Sequence, residues 1–355
     1  MQRIKVASPE GDHPIFVGAG LLARVGALLP NTGFSARCAI ITNPRVRELH
    51  AARVVASLRE RGFAPHVIEI PDGERFKTLA TLRFIYDQLV AAQLDRGSVV
   101  LALGGGVVGD VAGLAAATYL RGVPFIQLPT TLLAMVDASI GGKVAVDHAQ
   151  GKNLIGAFKQ PRAIIADTDA LATLPDAELR AGMAEVVKHA VIRDARLFER
   201  LERRDWRLEI GDWIAPAIQV KVDLVARDPY EQGERAKLNL GHTFAHALEK
   251  LSNYELRHGD AVAIGLAGAA RLAARRNMCP PDLAARIENL LRAIGLPTRV
   301  PREMAADAIL DAMATDKKRV DARLRLVLPR GLGDVVIVDD VKSEIIIAAL
   351  DEMRA

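Results

Sequence analysis

Three histidines and a glutamate in the second half of the chain have the residue types and spacing to hold a metal ion. In Asn239–Lys250 (NLGHTFAHALEK), His242 and His246 lie four apart and therefore on one face of a helix, with Asn239 beside His242. Zinc requires further ligands, and the candidates are His258 in RHGDAVAIG and Glu185 in MAEVVKHAVI. Two histidines and one glutamate would leave a position open for substrate hydroxyls. His242 and His246 read equally well as caps or local hydrogen-bonding groups, and His189 reads as ordinary. Glu185 and Lys188, at i and i+3, share a face. They form either a surface ion pair worth little or a buried pair, and the neighbours Met183, Val186 and Val187 favour partial burial.

A second chemistry is suggested by Ser98–Tyr119 (SVVLALGGGVVGDVAGLAAATY), where an apolar run breaks on Gly104, Gly105 and Gly106 and resumes with helix-forming residues. The pattern predicts a buried strand, a tight turn and a helix. Glycines there permit positive φ and let backbone N–H groups approach a phosphate at the positive end of the helix. Gly104, Gly106 and Gly109 satisfy G-x-G-x-x-G, yet the acidic residue that a Rossmann unit places about 20 residues further on is missing, so the usual first Rossmann turn is not indicated. Asp110, placed in the first helical turn, would repel a bare phosphate and suits a ribose hydroxyl better. The alternative is a glycine turn that only packs helix on strand. Arg121, Lys143, Lys152, Lys221, Arg235 and Lys317 stand beside glycines, asparagines or loop breaks. Singly each reads as a solvated cation; converging, they would select a phosphorylated, carboxylated anion.

The elements that must position these groups alternate. Arg3–Ala7 and Pro14–Gly18 predict a hairpin, and apolar runs at Ala39–Thr42, Val67–Ile70, Val99–Leu103, Phe125–Leu128 and Ala163–Ala166 are separated by helical stretches. That is a parallel α/β sheet, with functional loops beyond the carboxyl ends of its strands. Three such loops are rich in polar groups: Pro71–Lys77, the glycine loop, and Pro129–Thr131 running into DASIGGK. From Leu174 the patterns become helical, which puts a domain boundary near Pro175, with 1–174 and 175–355 as the two domains and a cleft between them as the expected site. Near the end, Arg323–Leu328 and Asp334–Val338 predict a hairpin followed by a closing helix.

At 355 residues, half apolar and a quarter charged, the chain has the composition of a soluble two-domain protein. A net charge of +4 with interleaved signs, as in Arg196–Glu209, suits a solvated helix face and argues against nucleic-acid binding. Cys38 and Cys279 are the only cysteines, too few for a disulfide framework or a thiolate zinc site, which fits a reducing cytoplasm. The N-terminus has no signal-peptide pattern. The most apolar window, Ser98–Leu120, carries Asp110 and several glycines, so no membrane segment is expected.

Taken in order, DGERFK, GGGVVGD, YLRG, PTTLLAMVDASIGGK, GKNLIGAF, AGMAEVVKH, ERAKLNLGHTFAHALE, RHGDAVAIG and TDKKR closely resemble the 3-dehydroquinate synthases, the cyclising enzymes of the shikimate pathway, over nearly the whole chain. The resemblance implies a Rossmann-like, parallel-sheet NAD-binding α/β domain followed by a mainly α-helical metal-binding domain, usually as a homodimer. It implies Glu185, His242 and His258 as ligands of zinc or cobalt, which frees His246 for the substrate. Around NAD it places Asp72, Gly73, Glu74, Arg75, Phe76 and Lys77, then Gly105, Gly106, Val107, Val108, Gly109 and Asp110, with Thr130, Thr131, Lys143, Lys152, Ala170, Leu171, Ala172 and Thr173. Around a phosphorylated sugar acid it places Asp137, Lys143, Asn153, Lys188, Lys221, Arg235, Asn239 and Lys317, with Arg121 reaching a neighbouring subunit's phosphate site. Two departures leave the implied ligands in place: Arg257, His258, Gly259 and Asp260 stand where the family often has Leu-His-Gly-Glu, and Ala138 and Ser139 where it often has Ser-Ser.

The implied reaction turns 3-deoxy-D-arabino-heptulosonate 7-phosphate into 3-dehydroquinate and phosphate by transient oxidation, elimination, re-reduction and aldol closure, without net redox. The competing readings are a metal-dependent polyol dehydrogenase of the glycerol-dehydrogenase type, a related cyclase acting on another sugar phosphate, and a non-catalytic NAD-binding protein. Against the first stand the many basic residues, which a neutral polyol would not need.

Overall fold

The computed structural model describes residues 1–30, 33–314 and 324–354. The expected site residue Lys317, the TDKKR segment and Arg323 lie outside the described residues. The chain divides into two compact units, Met1–Leu179 and Arg180–Ala355.

The first unit is built on strands β1 (Gln2–Val6), β2 (His13–Gly18), β3 (Arg37–Thr42), β4 (Ala64–Glu69), β5 (Val99–Gly104), β6 (Phe125–Pro129), β7 (Lys143–His148), β8 (Gly151–Phe158) and β9 (Ala163–Asp167), with helices α1 (Val25–Leu28), α2 (Pro44–Val46), α3 (Ala52–Glu60), α4 (Leu79–Ala91) and α5 (Gly106–Thr118). Seven strands form one sheet in the order β1-β2-β9-β6-β5-β3-β4, parallel throughout except for the β1–β2 hairpin at one edge. Every residue of β5 (VVLALG) is buried, as expected of a central parallel strand covered on both faces. The edge strand β4 alternates between exposed and partly buried positions along most of its length. Since β3, β4, β5, β6 and β9 run the same way, the segments following Thr42, Glu69, Gly104, Pro129 and Asp167 all leave one edge of the sheet. Strand order reverses between β3 and β5, beside Asn43 and Gly105, and such a reversal is the usual position of a ligand on parallel sheets.

Helix α5 crosses this sheet on small residues. A Cβ on Gly109 would lie 3.0 Å from the Gln127 side chain of β6, and one on Gly113 would lie 2.3 Å from Val144 Cγ1 of β7. Close approach lets Val108, Val111, Ala115, Phe125, Val144 and Val146 share one core; each large apolar side chain so buried contributes roughly 1.5–3 kcal/mol. The antiparallel hairpin β7–β8, pairing Lys143 with Phe158, is a feature the sequence reading missed. The expected loop beyond Pro129 is also partly helical, with a wide turn at Ala134–Ala138.

The second unit holds α6 (Asp176–Arg193, which begins within the last residues of the first), α7 (Ala195–Arg203), α8 (Ile210–Arg227), α9 (His242–Leu251), α10 (His258–Arg275), α11 (Leu283–Ile294), α12 (Ala306–Ala314) and α13 (Ser343–Met353), plus the hairpin of β10 (Leu326–Gly331) and β11 (Asp334–Val338). Only part of Arg196–Glu209 is helical, and Leu197, Phe198 and Leu201 bury one side of it. From Ala181 to Ile192, α6 is buried on every face, although it carries Glu185, Lys188 and His189. A helix enclosed all round must satisfy such groups internally. Among the described residues, no helix is long and apolar enough to cross a membrane.

Candidate functional site

Glycines set the geometry of the second unit's polar centre. A Cβ on Gly259 would lie 2.3 Å from Ala181 Cα, and one on Gly265 would lie 2.1 Å from the Gly241 carbonyl oxygen. Helix α10 therefore approaches α6 and the start of α9 backbone to backbone, which side chains would prevent. Ala181 precedes Glu185 by one turn, Gly259 follows His258, and Gly241, in the left-handed region at φ 78°, precedes His242. These contacts thus bring the three expected ligands together from three helices.

Glu185 is fully buried. Its Oε2 pairs with the Lys188 ammonium, so the expected partial burial of this pair is in fact complete. Its Oε1 lies 3.6 Å from Nε2 of both His242 and His258. The ligand atoms of Glu185, His242 and His258 all lie within 4.8 Å of one another. His242 Nδ1 lies 3.3 Å from the Leu240 carbonyl. A carbonyl only accepts, so Nδ1 carries a proton and the neutral ring aims its Nε2 lone pair at the carboxylate. Burial and then the Lys188 ammonium hold His242 well below its usual 6.5, so that ring is neutral. For His258, burial works against the charged form, but hydrogen bonds to Glu185 and Glu249 outweigh it and push the pKa up to about 10. Two imidazole nitrogens and a carboxylate oxygen converging in this way suit a divalent cation, which would displace that proton.

His246 lies one turn beyond His242, with ring centroids 5.5 Å apart and nearly perpendicular. Lys221 on α8 and Arg235 in the Glu234–Asn239 turn are both buried. The loop before Arg235 is organised by Asp228, whose carboxylate accepts N–H groups of Gln232 (2.9 Å), Gly233 (2.7 Å) and Arg235 (3.0 Å). Arg235 donates to the Pro229 carbonyl, and Asn239 Nδ2 donates to Glu231 Oε1 at 2.8 Å. Glu231, Asp228 and Glu249 were missed by the sequence reading. Glu249 lies seven residues beyond His242, on the same helical face, and that period is the signal that could have found it.

In the first unit the expected nucleotide residues gather at the carboxyl edge of the sheet. Glu74–Phe76 form a turn after β4, reached through Gly73 at φ 106°. Lys77 is buried; its Nζ lies 2.6 Å from Asp110 Oδ2 and donates to Asn153 Oδ1. The unforeseen hairpin supports this network, since Asp147 N donates to the Lys77 carbonyl (2.7 Å) and Asp147 Oδ1 accepts from Asn153 N (2.8 Å). Burial first, opposed by Lys77, pushes the Asp110 carboxyl up to about 6. Burial also works against the Lys77 ammonium, but Asp110 and Glu74 outweigh it and raise its pKa. Lys152 lies 3.6 Å from Glu74, and Asn43, also missed, donates to Asp72 Oδ1 at 2.7 Å. Thr173 contacts His50 Nε2 at 3.2 Å, which ties the Ala170–Thr173 turn to the segment after β3. Thr130 is buried beside Gly104, donating its N–H to that carbonyl. Lys143 is exposed at the start of β7, Asp137 lies in the wide turn before it, and Arg121 is an exposed residue at φ 68°.

Two expectations about the glycine loop are corrected. Gly104, Gly105 and Gly106 all keep negative φ; they are needed for space, because a Cβ on Gly104 would lie 2.7 Å from Val108 and one on Gly105 3.1 Å from Thr131. Asp110 is the fifth residue of α5, past its first turn.

A parallel-sheet unit joined to a helical unit with this polar centre is the architecture of the sugar phosphate cyclases. The chain superimposes with a TM-score of 0.88 on 2-deoxy-scyllo-inosose synthase complexed with carbaglucose-6-phosphate, NAD+ and Co2+ (27% identical, covering 99% of this chain and 100% of that one). With 2-epi-5-epi-valiolone synthase from Streptomyces hygroscopicus, bound to NAD+ and Zn2+, the TM-score is 0.87 (31% identical, 99% and 98% covered). Within that class, this chain belongs to the 3-dehydroquinate synthase family. Residues 67–181 match the family's N-terminal part and residues 182–319 its C-terminal part. A 3-dehydroquinate synthase from Desulforamulus reducens is 46% identical over 359 aligned positions, spanning 99% of this chain and 100% of that protein.

Proposed function

We propose that this chain is a phosphate-eliminating lyase that converts 3-deoxy-D-arabino-heptulosonate 7-phosphate to 3-dehydroquinate, using NAD and a divalent metal, zinc or cobalt. The observation that carries this reading is the convergence of Glu185 Oε1 on Nε2 of His242 and His258 in a chain matched end to end by 3-dehydroquinate synthases. Glu185, His242 and His258 would hold the metal. When bound, the metal supplies Lewis-acid polarisation of substrate hydroxyls and NAD a reversible hydride acceptor.

The chain's own residues bind, orient and balance charge. We assign residues 1–174 to NAD binding and 175–355 to metal and substrate. The Lys77–Asp110–Asn153 network and the glycine loop orient the nucleotide, with Asp110 accepting from a ribose hydroxyl. A carboxylate and a phosphate packed into one small pocket repel each other, and fixed cations offset that repulsion without reorganisation. Lys188, Lys221 and Arg235 have that role in the second unit, with Asn239 and His246 orienting substrate hydroxyls. Asp137, Lys143, Asn153 and Arg121 are the first unit's contribution. In this reading the substrate phosphate itself takes the proton. We further infer a homodimer working in the cytoplasm, where two cysteines in 355 residues suit a reducing medium.

The test is to incubate the protein with the heptulosonate phosphate, catalytic NAD and zinc, and to follow phosphate and NADH together. Phosphate release matching substrate consumed, with no NADH accumulating, is expected. NADH formed once per turnover would replace this reading with a polyol dehydrogenase.

A further inference from the structure

Glu249 is a carboxylate on α9 with only 3% of its surface exposed. Its backbone carbonyl serves the turn that follows, accepting from Ser252 Oγ (2.9 Å) and Tyr254 N (2.7 Å). Its side chain does something else: Oε1 lies 3.5 Å from His258 Nδ1, while Nε2 of the same ring faces Glu185 Oε1 at 3.6 Å. Burying a carboxylate costs several kcal/mol of hydration unless a partner offsets it, so its place on an enclosed helix face calls for a reason.

The two imidazoles of the centre show that reason by their symmetry. Each turns Nδ1 toward an acceptor and Nε2 toward Glu185. For His242 the acceptor is the Leu240 carbonyl, two residues back on its own chain segment. His258 is the first residue of α10, follows Arg257 with no side-chain cap, and leaves 32% of its side chain exposed against 11% for His242. The backbone gives its ring less enclosure, and a half-turn about χ2 would exchange Nδ1 for the neighbouring carbon.

We propose that Glu249 is a positioning residue for the metal centre: it accepts the Nδ1 proton of His258 and so holds that ring in the tautomer and orientation that present Nε2 beside Glu185. The inference rests on the metal reading above. Ligand imidazoles commonly need such a partner, and its loss typically costs metal affinity rather than fold.

The experiment is a zinc titration of the full chain against a chelator, run beside thermal unfolding of the metal-free protein. Glu249→Leu replaces a buried carboxylate by an apolar side chain of similar size, so a structural role would show in the melting temperature alone. We expect zinc affinity to fall roughly 10–100-fold in Glu249→Leu. The melting temperature of the metal-free protein should fall modestly, because His258 Nδ1 loses its acceptor, and Glu249→Gln, which keeps a neutral acceptor, should recover much of the affinity. Zinc binding by Glu249→Leu as tight as in the unaltered chain overturns the proposal. His242→Ala separates the two readings. If it loses zinc while Glu249→Leu keeps it, only the positioning role falls; if neither loses zinc, the metal centre falls as well. Should Glu249→Leu not fold, histidine nitrogen NMR of the zinc-loaded unaltered chain decides: a protonated Nδ1 with a metal-bound Nε2 on His258 supports the proposal, and a metal-bound Nδ1 overturns it.

Discussion

Each unit contains a buried lysine paired with a carboxylate, and the two pairs are built in opposite ways. Lys188 and Glu185 sit three apart on one helix, so their meeting is local, while the histidines that complete the centre arrive from α9 and α10 through glycine contacts. Lys77 and Asp110 come from a loop and a helix 33 positions apart, and the β7–β8 hairpin closes around them through Asp147 and Asn153. In the first unit, cation and anion largely satisfy each other. In the second, Glu185 has one oxygen on a cation and the other facing two imidazole nitrogens. The lesson is that a carboxylate–lysine pair is closed on itself in the first unit, whereas in the second the packing of three helices turns one carboxylate oxygen toward two imidazole rings.

The comparison breaks most sharply at the metal centre. His242→Ala and Glu185→Ala should each remove tightly bound zinc and lower turnover by at least about a thousandfold, of order 4 kcal/mol. His246→Ala should lower turnover while keeping the metal. Metal analysis beside the phosphate-release assay checks this, and equal metal loss from His246→Ala and His242→Ala would reject the ligand set.

Next in size is the glycine contact that assembles the centre. In Gly259→Ala the new methyl would meet Ala181 Cα at 2.3 Å, so α10 must withdraw from α6. A loss of about 1–3 kcal/mol in urea unfolding is expected, together with weaker zinc binding, because His258 moves with its helix. Unchanged stability and affinity would show that close approach does not set the centre's geometry.

The first unit should respond separately. Lys77→Met leaves Asp110 partly buried without its ammonium; NAD affinity measured by calorimetry should fall about 10- to 100-fold, roughly 1.4–2.8 kcal/mol, with zinc affinity unchanged. Loss of zinc in the same variant would mean that the two constellations are coupled.

The smallest effect concerns pH. Asp110 is raised from 3.8 to about 6 in the folded chain, so its stabilising contribution is fully present below about 3.8 and is lost as pH rises through about 6. Replacing it by Asn should flatten that part of the stability profile between pH 4 and 7, a change of order 1 kcal/mol. An unaltered slope in Asp110→Asn would assign the pH dependence to other groups.

Much of this was legible in the residues. The apolar runs predicted β3, β4, β5, β6 and β9, and the four-residue spacing of His242 and His246 put them on one helix face. The β7–β8 hairpin was not legible, because Gly141 and Gly142 at φ 96° and 71° open it after a turn and its short alternation resembles a loop. The glycines of the loop after β5 are needed for steric room against Val108 and Thr131, which only the folded chain can demand, and not for positive φ. Glu249 escaped notice because a glutamate near a helix end ordinarily faces water.

What the sequence alone determined is periodic and local: which segments are strands or helices, and which residues share a helical face. These follow from backbone geometry and from the burial of apolar side chains, both of which repeat over a few residues. The tertiary structure decided which groups from distant segments face one another. His258 reaches Glu185 because Gly259 has no side chain to keep two helices apart, and Lys77 reaches Asp110 because a hairpin holds its loop. Those distances depend on excluded volume between segments far apart in the chain, and excluded volume acts only once the segments are packed together.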